Sequence, residues 1–338
     1  MPIKMLAATF NGFGKPLIIE HVSRPTPRRG QLLVRLEASG VCHSDVHIWK
    51  GGMRPQRNPS PFILGHEGVG TVTAVGADVS EWNIGDRAGV AWLHNTCGTC
   101  DECSDGEESF CQTQNASGFN VPGTFAEYTI ADARFAAKLP QGDAAIIAPL
   151  LCAGLTAYGA IKRAELKAGE TCVVFGCGGL GLYAVQIASR LGARVIAIDT
   201  DTERLQTAAT FGAETTMLAS PLLAQQWDSS NIAHVCINFA PTTATWKVMV
   251  AAIRPRGRII SAAMVSEPVA LNQEWLASSG VRITGTSVGT RTQMKELIDL
   301  HARSPLNGEI TRISLQDVTN ALVALENGVA KGRYCIVF

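Results

Sequence analysis

Between residues 171 and 199 four signals follow one another without a break. Thr171 to Phe175 is an apolar run of strand length, and Gly176-Cys177-Gly178-Gly179-Leu180-Gly181 is a glycine turn. Leu180 to Leu191 has helical periodicity and stops at Gly192, and Arg194 to Ile198 is a second apolar run that leads into Asp199. G-x-G-x-x-G in this setting is a dinucleotide-binding fingerprint. The first glycine permits a tight turn, the second lets the backbone approach a pyrophosphate, and the third packs helix on strand. The helix N-terminus then offers free N–H groups to the phosphates. Gly176, Gly178, Gly179, Leu180 and Gly181 are therefore candidate cofactor contacts. Asp199 at the strand tip would accept the ribose hydroxyls of NAD and repel the 2′-phosphate of NADP. Arg204 would tolerate that phosphate, but Asp199 weighs more because it stands at the tip itself. The competing reading is a glycine turn in a nucleotide-free domain, with Asp199 as a helix cap. Cys177 reads as a small filler.

The alternation continues. Thr202 to Phe211 is helical and stops at Gly212; Val235 to Phe239, Arg258 to Ala262 and Val281 to Gly285 are strand-like, with a helix at Ala244 to Ile253. Such a series builds a parallel, doubly wound α/β sheet. The tail from Thr292 has two helical patches and a last strand, Tyr334 to Phe338. Before about residue 150 the character differs. Gln31 to Ala38 and Gly68 to Val75 are strand runs, and Pro, Asn and Gly gather between them, as in Lys50 to Pro61. That half reads as mostly β with long loops, and 338 residues suit two domains.

Charge excludes some functions. Lys plus Arg number 29 and Asp plus Glu number 29, so nothing attracts nucleic acid or an anionic membrane wholesale. No apolar run reaches the ~18 residues of a spanning helix. Met5 to Phe10 is too short for a secretory core, so a cytoplasmic location is expected.

In a reducing compartment the ten cysteines point to metal or catalysis rather than to disulfides. Cys97, Cys100, Cys103 and Cys111 lie at spacings that suit one tetrahedral Zn²⁺. Four thiolates leave no open position, so this site would be structural. Gly98, Asp101, Ser104, Asp105 and Gly106 cannot build a core, and the metal would hold the lobe. An iron–sulfur cluster or unbound thiols are the alternatives.

Three further segments carry metal donors: VCHSDVH at 41–47, GHEG at 65–68 and LCAG at 151–154. With the GDRAG turn (Gly85 to Gly89), the cysteine loop, LCAGLTAYGA, GCGGLG, SVGTR (Ser287 to Arg291) and KGRY (Lys331 to Tyr334), they make the chain resemble the zinc-containing medium-chain alcohol dehydrogenases along nearly its whole length. The similarity is greatest to the short, tetrameric, yeast-type branch.

The resemblance implies a GroES-like catalytic domain with a structural zinc lobe over 1–150, an NAD-binding Rossmann domain over 151–287, and a return to the catalytic domain over 288–338. It implies two zinc ions per subunit and NAD. Cys42, His66 and Cys152 would hold the catalytic zinc, Cys₂His being the recognised donor set of these enzymes. Asp45 would fix the His66 tautomer, and Glu67 would lie behind the metal as a transient ligand. Ser44, the cofactor ribose and His47 would relay the proton of a zinc-bound alcohol, whose alkoxide gives up hydride. His43 and Arg333 would face the pyrophosphate, though the His43 position also carries arginine in the family. Thr156 and Val288 would line the nicotinamide pocket, and Val265 would join the cofactor contacts. Trp92, with Met53 or Trp49, would shape the alcohol pocket, unless these side chains are core fillers. His21, His94, His234 and His301 receive no role.

The activity implied is reversible oxidation of small primary alcohols to aldehydes by a homotetramer. Secondary, polyol or aromatic alcohols are the alternative substrates. Polyol relatives commonly have Glu at the position of Cys152, and aromatic alcohol reductases usually prefer NADPH, which Asp199 disfavours. A non-catalytic NAD-binding zinc protein is a further alternative, against which the Ser44–His47 pair speaks.

Overall fold

The computed structural model describes residues 3–56, 58–59, 61–227, 232–330 and 332–338. The loop Lys50 to Pro61 is thus described except for Arg57 and Ser60, and the KGRY motif except for Lys331, which lie outside the described residues. The chain forms two compact units, Met1–Leu155 with Thr290–Phe338, and Thr156–Gly289. The first boundary falls after Leu155 rather than after residue 150, because the helix Ala153–Arg163 carries the chain across it.

In the second unit six strands form one parallel sheet. Taken in chain order they lie 3-2-1-4-5-6: Thr215–Leu218, Arg194–Asp199, Thr171–Phe175, Ala233–Asn238, Ile253–Ser261, Arg282–Gly285. This is the doubly wound order that places a ligand at the carboxyl ends beside the first strand. Thr171–Phe175 is central and buried at every residue, as its continuous apolar run requires. Val173, Phe175, Ile196 and Ile198 pack with Val248 and Met249 of the helix Thr245–Ala252. Two details depart from the sequence reading. Thr215–Leu218 forms an edge strand that is mostly exposed, so it carries no apolar signature. Ile253, expected to close a helix, opens a strand that runs through Pro255 and Gly257.

The first unit is mostly β. Gln31–Gly40 is flanked by Gly68–Val75, Tyr128–Asp132 and Arg333–Val337, all antiparallel to it, within a seven-stranded sheet. Leu32, Val34, Leu36, Val72 and Val90 fill one core. A second core, with Val41, Val46, Ile48, Trp49 and Phe125, lies under the helix His43–Lys50. The C-terminal strand pairs Cys335 with Gly40, and the Val41 N–H donates to Tyr334 O at 2.9 Å, which leads the chain at Arg333 toward the start of that helix. Among the described residues no single helix is long and apolar enough to cross a membrane.

Candidate active site

Asp45 organises the metal donors. Cys42 is the extended N-cap of His43–Lys50, and its N–H donates to Asp45 Oδ2 at 2.9 Å, closing the first turn. Asp45 Oδ1 accepts the Gly65 N–H at 3.1 Å, which draws the Gly65–His66–Glu67 segment to the helix. The same oxygen lies 3.2 Å from His66 Nδ1, off the line of a well-formed hydrogen bond. Cys152 follows the helical turn Ala148–Leu151 in an irregular conformation, φ −132° and ψ −65°. The result is a buried group in which one donor atom each of Cys42, His66, Glu67 and Cys152 lie within 4.8 Å of one another.

The donors fit a tetrahedral ion. Cys42 Sγ and Cys152 Sγ are 3.9 Å apart, and two Zn–S bonds of ~2.3 Å at a tetrahedral angle place their sulfurs about 3.8 Å apart. His66 is fully buried, and its Nε2 has no hydrogen-bond partner among the described residues. A buried ring nitrogen left so is what a metal ligand needs. The Cys42 thiol is held well below its usual range by the Cys152 hydrogen bond, with His66 and Arg333 assisting against burial. Burial alone would depress the His66 imidazole, but Asp45 outweighs it and lifts it well above its usual range.

Glu67 is equally buried. Burial pushes its carboxyl up to about 7 against the pull of Arg333. Arg333 Nη2 donates to Glu67 Oε1, while Oε2 has no hydrogen-bond partner. Arg333, expected to face the pyrophosphate, gives its Nη2 to the donor group and is 5% exposed. Motif spacing gave no sign of this pairing, which spans 266 residues.

Ser44 and His47 share the helix one turn apart, and Cys42 Sγ lies 3.8 Å from Ser44 Oγ. His43, exposed at the first helical position, has its ring centre 5.0 Å from that of His47. Desolvation and the His47 charge hold His43 below its usual range, which weakens it as a fixed cation for pyrophosphate. Trp92 stands edge-on to His66, ring centres 5.0 Å apart. Phe119, which no motif singled out, stacks on Trp92 at 5.9 Å. Met53 is partly buried against the core beneath the helix. Trp49 needs correction as a pocket residue. It is 3% exposed within that core, and its Nε1 donates to Lys15 O at 2.6 Å.

In the cysteine lobe, the sulfurs of Cys97, Cys100, Cys103 and Cys111 also lie within 4.8 Å of one another. Cys97 Sγ is 3.9 Å from Cys103 Sγ and 3.7 Å from Cys111 Sγ, again the edge length of a zinc tetrahedron. The Thr99 and Cys100 N–H groups donate to Cys97 Sγ and hold its thiol down to about 5, favouring the ligand form.

The glycine turn of the second unit keeps its three parts distinct. Gly176 has φ 86°, which permits the turn. A Cβ at Gly181 would overlap the Gly176 carbonyl oxygen, so helix and strand meet only through glycine. A Cβ at Gly178 would meet nothing within 4 Å, so the open side there is free for a phosphate group. Gly179 and Leu180 complete the turn, and the helix Gly181–Arg190 begins with no side chain capping it. Asp199 Oδ2 accepts the Cys177 N–H at 2.6 Å and Oδ1 the Asp201 N–H at 3.0 Å, which aims the carboxylate beside the turn. Arg204 Nε lies 3.7 Å from Asp201 Oδ2. Burial raises the Cys177 thiol to about 12, in keeping with a filler. Thr156 is buried in Ala153–Arg163, and Val265 and Val288 are half-buried.

The family model of the alcohol dehydrogenase GroES-like domain matches residues 28–141, and that of the zinc-binding dehydrogenase domain matches residues 179–303. The alcohol dehydrogenase of Moraxella sp. (strain TAE123) is 36% identical over 335 residues, 98% of this chain and 99% of that protein. Among solved structures, the alcohol dehydrogenase of Aeropyrum pernix shares 31% identity at a TM-score of 0.88, covering 98% of this chain and 100% of the other. The acetophenone reductase of Geotrichum candidum, solved in complex with NAD, shares 30% at 0.86, covering 100% and 98%. With both family models matched and a relative alike from end to end, the chain belongs to the zinc-containing medium-chain alcohol dehydrogenases.

Proposed function

We propose that the protein interconverts primary alcohols and aldehydes with NAD(H), holding one zinc through Cys42, His66 and Cys152 and a second through Cys97, Cys100, Cys103 and Cys111. The observation that carries this reading is the meeting of two thiols and an unpartnered imidazole nitrogen, from three distant segments, within 4.8 Å. When bound, zinc supplies Lewis acidity toward an alcohol oxygen, and NAD supplies the hydride acceptor.

The chain's own residues do the rest. Asp45 holds His66 by its Nδ1 side and leaves Nε2 for the metal. Ser44 accepts the alcohol's proton as it gives up its own, and His47, one turn along the same helix, carries a proton toward solvent. Glu67 lies within the same group as a transient ligand, and Arg333 occupies one of its carboxylate oxygens, so the fourth position stays open to the alcohol. Trp92, braced by Phe119, walls the space beside His66 and favours slim substrates. Gly178 leaves room for the pyrophosphate, Asp199 selects NAD, Thr156 and Val288 line the nicotinamide end, and Val265 is a further cofactor contact.

The test is NADH absorbance with metal-quantified protein across ethanol, longer primary alcohols, benzyl alcohol, 2-propanol and 1-phenylethanol. Primary alcohols are expected to give the highest kcat/KM. The likeness to an acetophenone reductase favours a second reading, a secondary-alcohol enzyme, which faster turnover of 1-phenylethanol would establish. Silence across the whole panel would leave only a binding role. The stretch after Cys111 resembles the tetrameric branch, and we propose a cytoplasmic homotetramer, its mass to be checked by light scattering.

A further inference from the structure

Glu108 stands in the cysteine lobe, and none of the roles above uses it. Its carboxylate is 5% exposed, and a buried charge must be matched. Arg291 matches it from both main chain and side chain. The Arg291 N–H and Nε donate to Glu108 Oε1 at 2.8 and 2.9 Å, and Nη2 donates to Oε2 at 3.4 Å. The same guanidinium lies 4.3 Å over the Phe135 ring. The grip therefore fixes the backbone of Arg291 as well as its charge.

That backbone matters because of what precedes it. Val288 has φ 49°, the only β-branched residue among the described non-glycine residues with positive φ. A β-branched side chain clashes there and stays only when the flanking chain leaves no alternative. On one side, Thr286 N–H donates to Ser261 O at 3.0 Å. On the other, Thr290 and Gln293 form a capping box, with Thr290 N–H on Gln293 Oε1 at 3.1 Å and Gln293 N–H on Thr290 Oγ1 at 3.3 Å. The box is internal to the helix Arg291–Arg303 and would move with it. The Glu108 grip instead ties the helix start to a segment 183 residues earlier.

We propose that Glu108 and Arg291 are positioning residues that hold Val288 in its left-handed conformation and thereby set cofactor affinity. The second half of this rests on the reading of Val288 as part of the nicotinamide pocket.

The experiment compares wild type, Glu108→Gln, Glu108→Ala, Arg291→Gln, Val288→Gly and the Glu108→Ala/Val288→Gly double variant. Three quantities are read: amide hydrogen exchange of residues 287–291 without cofactor, the NADH dissociation constant by fluorescence, and zinc per chain. Glu108→Ala is expected to speed exchange in that segment and to raise the NADH dissociation constant about tenfold or more. Glu108→Gln keeps an acceptor for the Arg291 N–H and should fall between. Val288→Gly removes the clash, so in the Glu108→Ala background it should recover part of the affinity. Arg291→Gln changes no residue of the lobe itself and carries the same test should Glu108→Ala lose zinc. Wild-type exchange at 287–291 and wild-type NADH affinity in a destabilised Glu108→Ala or Arg291→Gln protein would reduce the pair to a structural role and overturn the proposal. Losses from Glu108→Ala and Val288→Gly that simply multiply would also overturn it. A wild type that fails to bind NADH would sink the cofactor reading instead, with the exchange measurement still deciding the grip.

Discussion

The sulfurs of Cys42 and Cys152 lie 3.9 Å apart across 110 residues of chain. A disulfide would bring them to ~2.05 Å, whereas a shared tetrahedral zinc would hold them about where they stand. The cysteine lobe repeats the spacing at 3.9 and 3.7 Å. Two clusters of one edge length, one with four sulfurs and one with two, point to one metal in a closed and an open role.

The two roles separate by mutation. Cys42→Ala or Cys152→Ala should lose one zinc equivalent and all turnover while the protein stays folded. Cys111→Ala should lose the other equivalent and lower the melting temperature. Asp45→Asn should weaken zinc affinity about 10–100-fold by loosening His66. Elemental analysis beside turnover and melting curves checks all three; full activity in zinc-free protein would defeat the assignment.

The relay predicts a kinetic signature. Ser44→Ala or His47→Gln should slow turnover about 10²-fold or more, because each removes a positioned proton carrier. His47→Gln should also move the pH–rate profile, while zinc content stays unchanged. An unaltered profile would remove His47 from the path.

The glycine turn offers a contrast between affinity and folding. Gly178→Ala has open space for its methyl, so the protein should melt as wild type yet bind NADH more weakly. Gly181→Ala would drive Cβ into the Gly176 carbonyl and should destabilise the unit itself. Melting curves and fluorescence titration separate the two outcomes.

Asp199 is held by two N–H groups, which fix its carboxylate beside the glycine turn. Asp199→Asn should lower kcat/KM for NAD about tenfold or more and shift the NAD-to-NADP ratio toward NADP. Equal use of both coenzymes by the wild type would contradict the role.

Glu170 and Arg258 give a pH-dependent stability term. Arg258 Nη2 donates to Glu170 Oε1 at 2.6 Å, with side chains 10% and 19% exposed. Burial works to raise the Glu170 carboxyl, but the Arg258 hydrogen bond wins and holds it below its usual range. A carboxyl depressed in the folded state stabilises at neutral pH, and that stabilisation fades as pH falls below the ordinary carboxylate value through the depressed one. Glu170→Gln should therefore cost on the order of 1–2 kcal/mol at pH 7, and the gap to wild type should narrow as pH falls toward 3. Urea midpoints of both proteins across this range check it, since acid effects common to the two cancel.

Much of the site is legible in the chain because its chemistry is local. The four cysteines of the lobe and the glycine turn each lie within a few residues, so spacing alone constrains their geometry. The strands Thr171–Phe175 and Arg194–Asp199 announce themselves because burial on both faces demands unbroken apolar runs. Thr215–Leu218 does not, because an exposed edge strand needs no such run. Trp49 and Trp92 look alike as sequence, yet packing buries one in the core and sets the other against His66.

Short-range covalent geometry makes the metal-donor spacing, the glycine turn and the buried strands and helices readable along the chain. Which distant groups share a buried volume is set by packing. Arg333 meets Glu67, and Glu108 meets Arg291, across 266 and 183 residues respectively. No local pattern encodes such meetings, because a buried charge finds its partner through the packing of the whole unit.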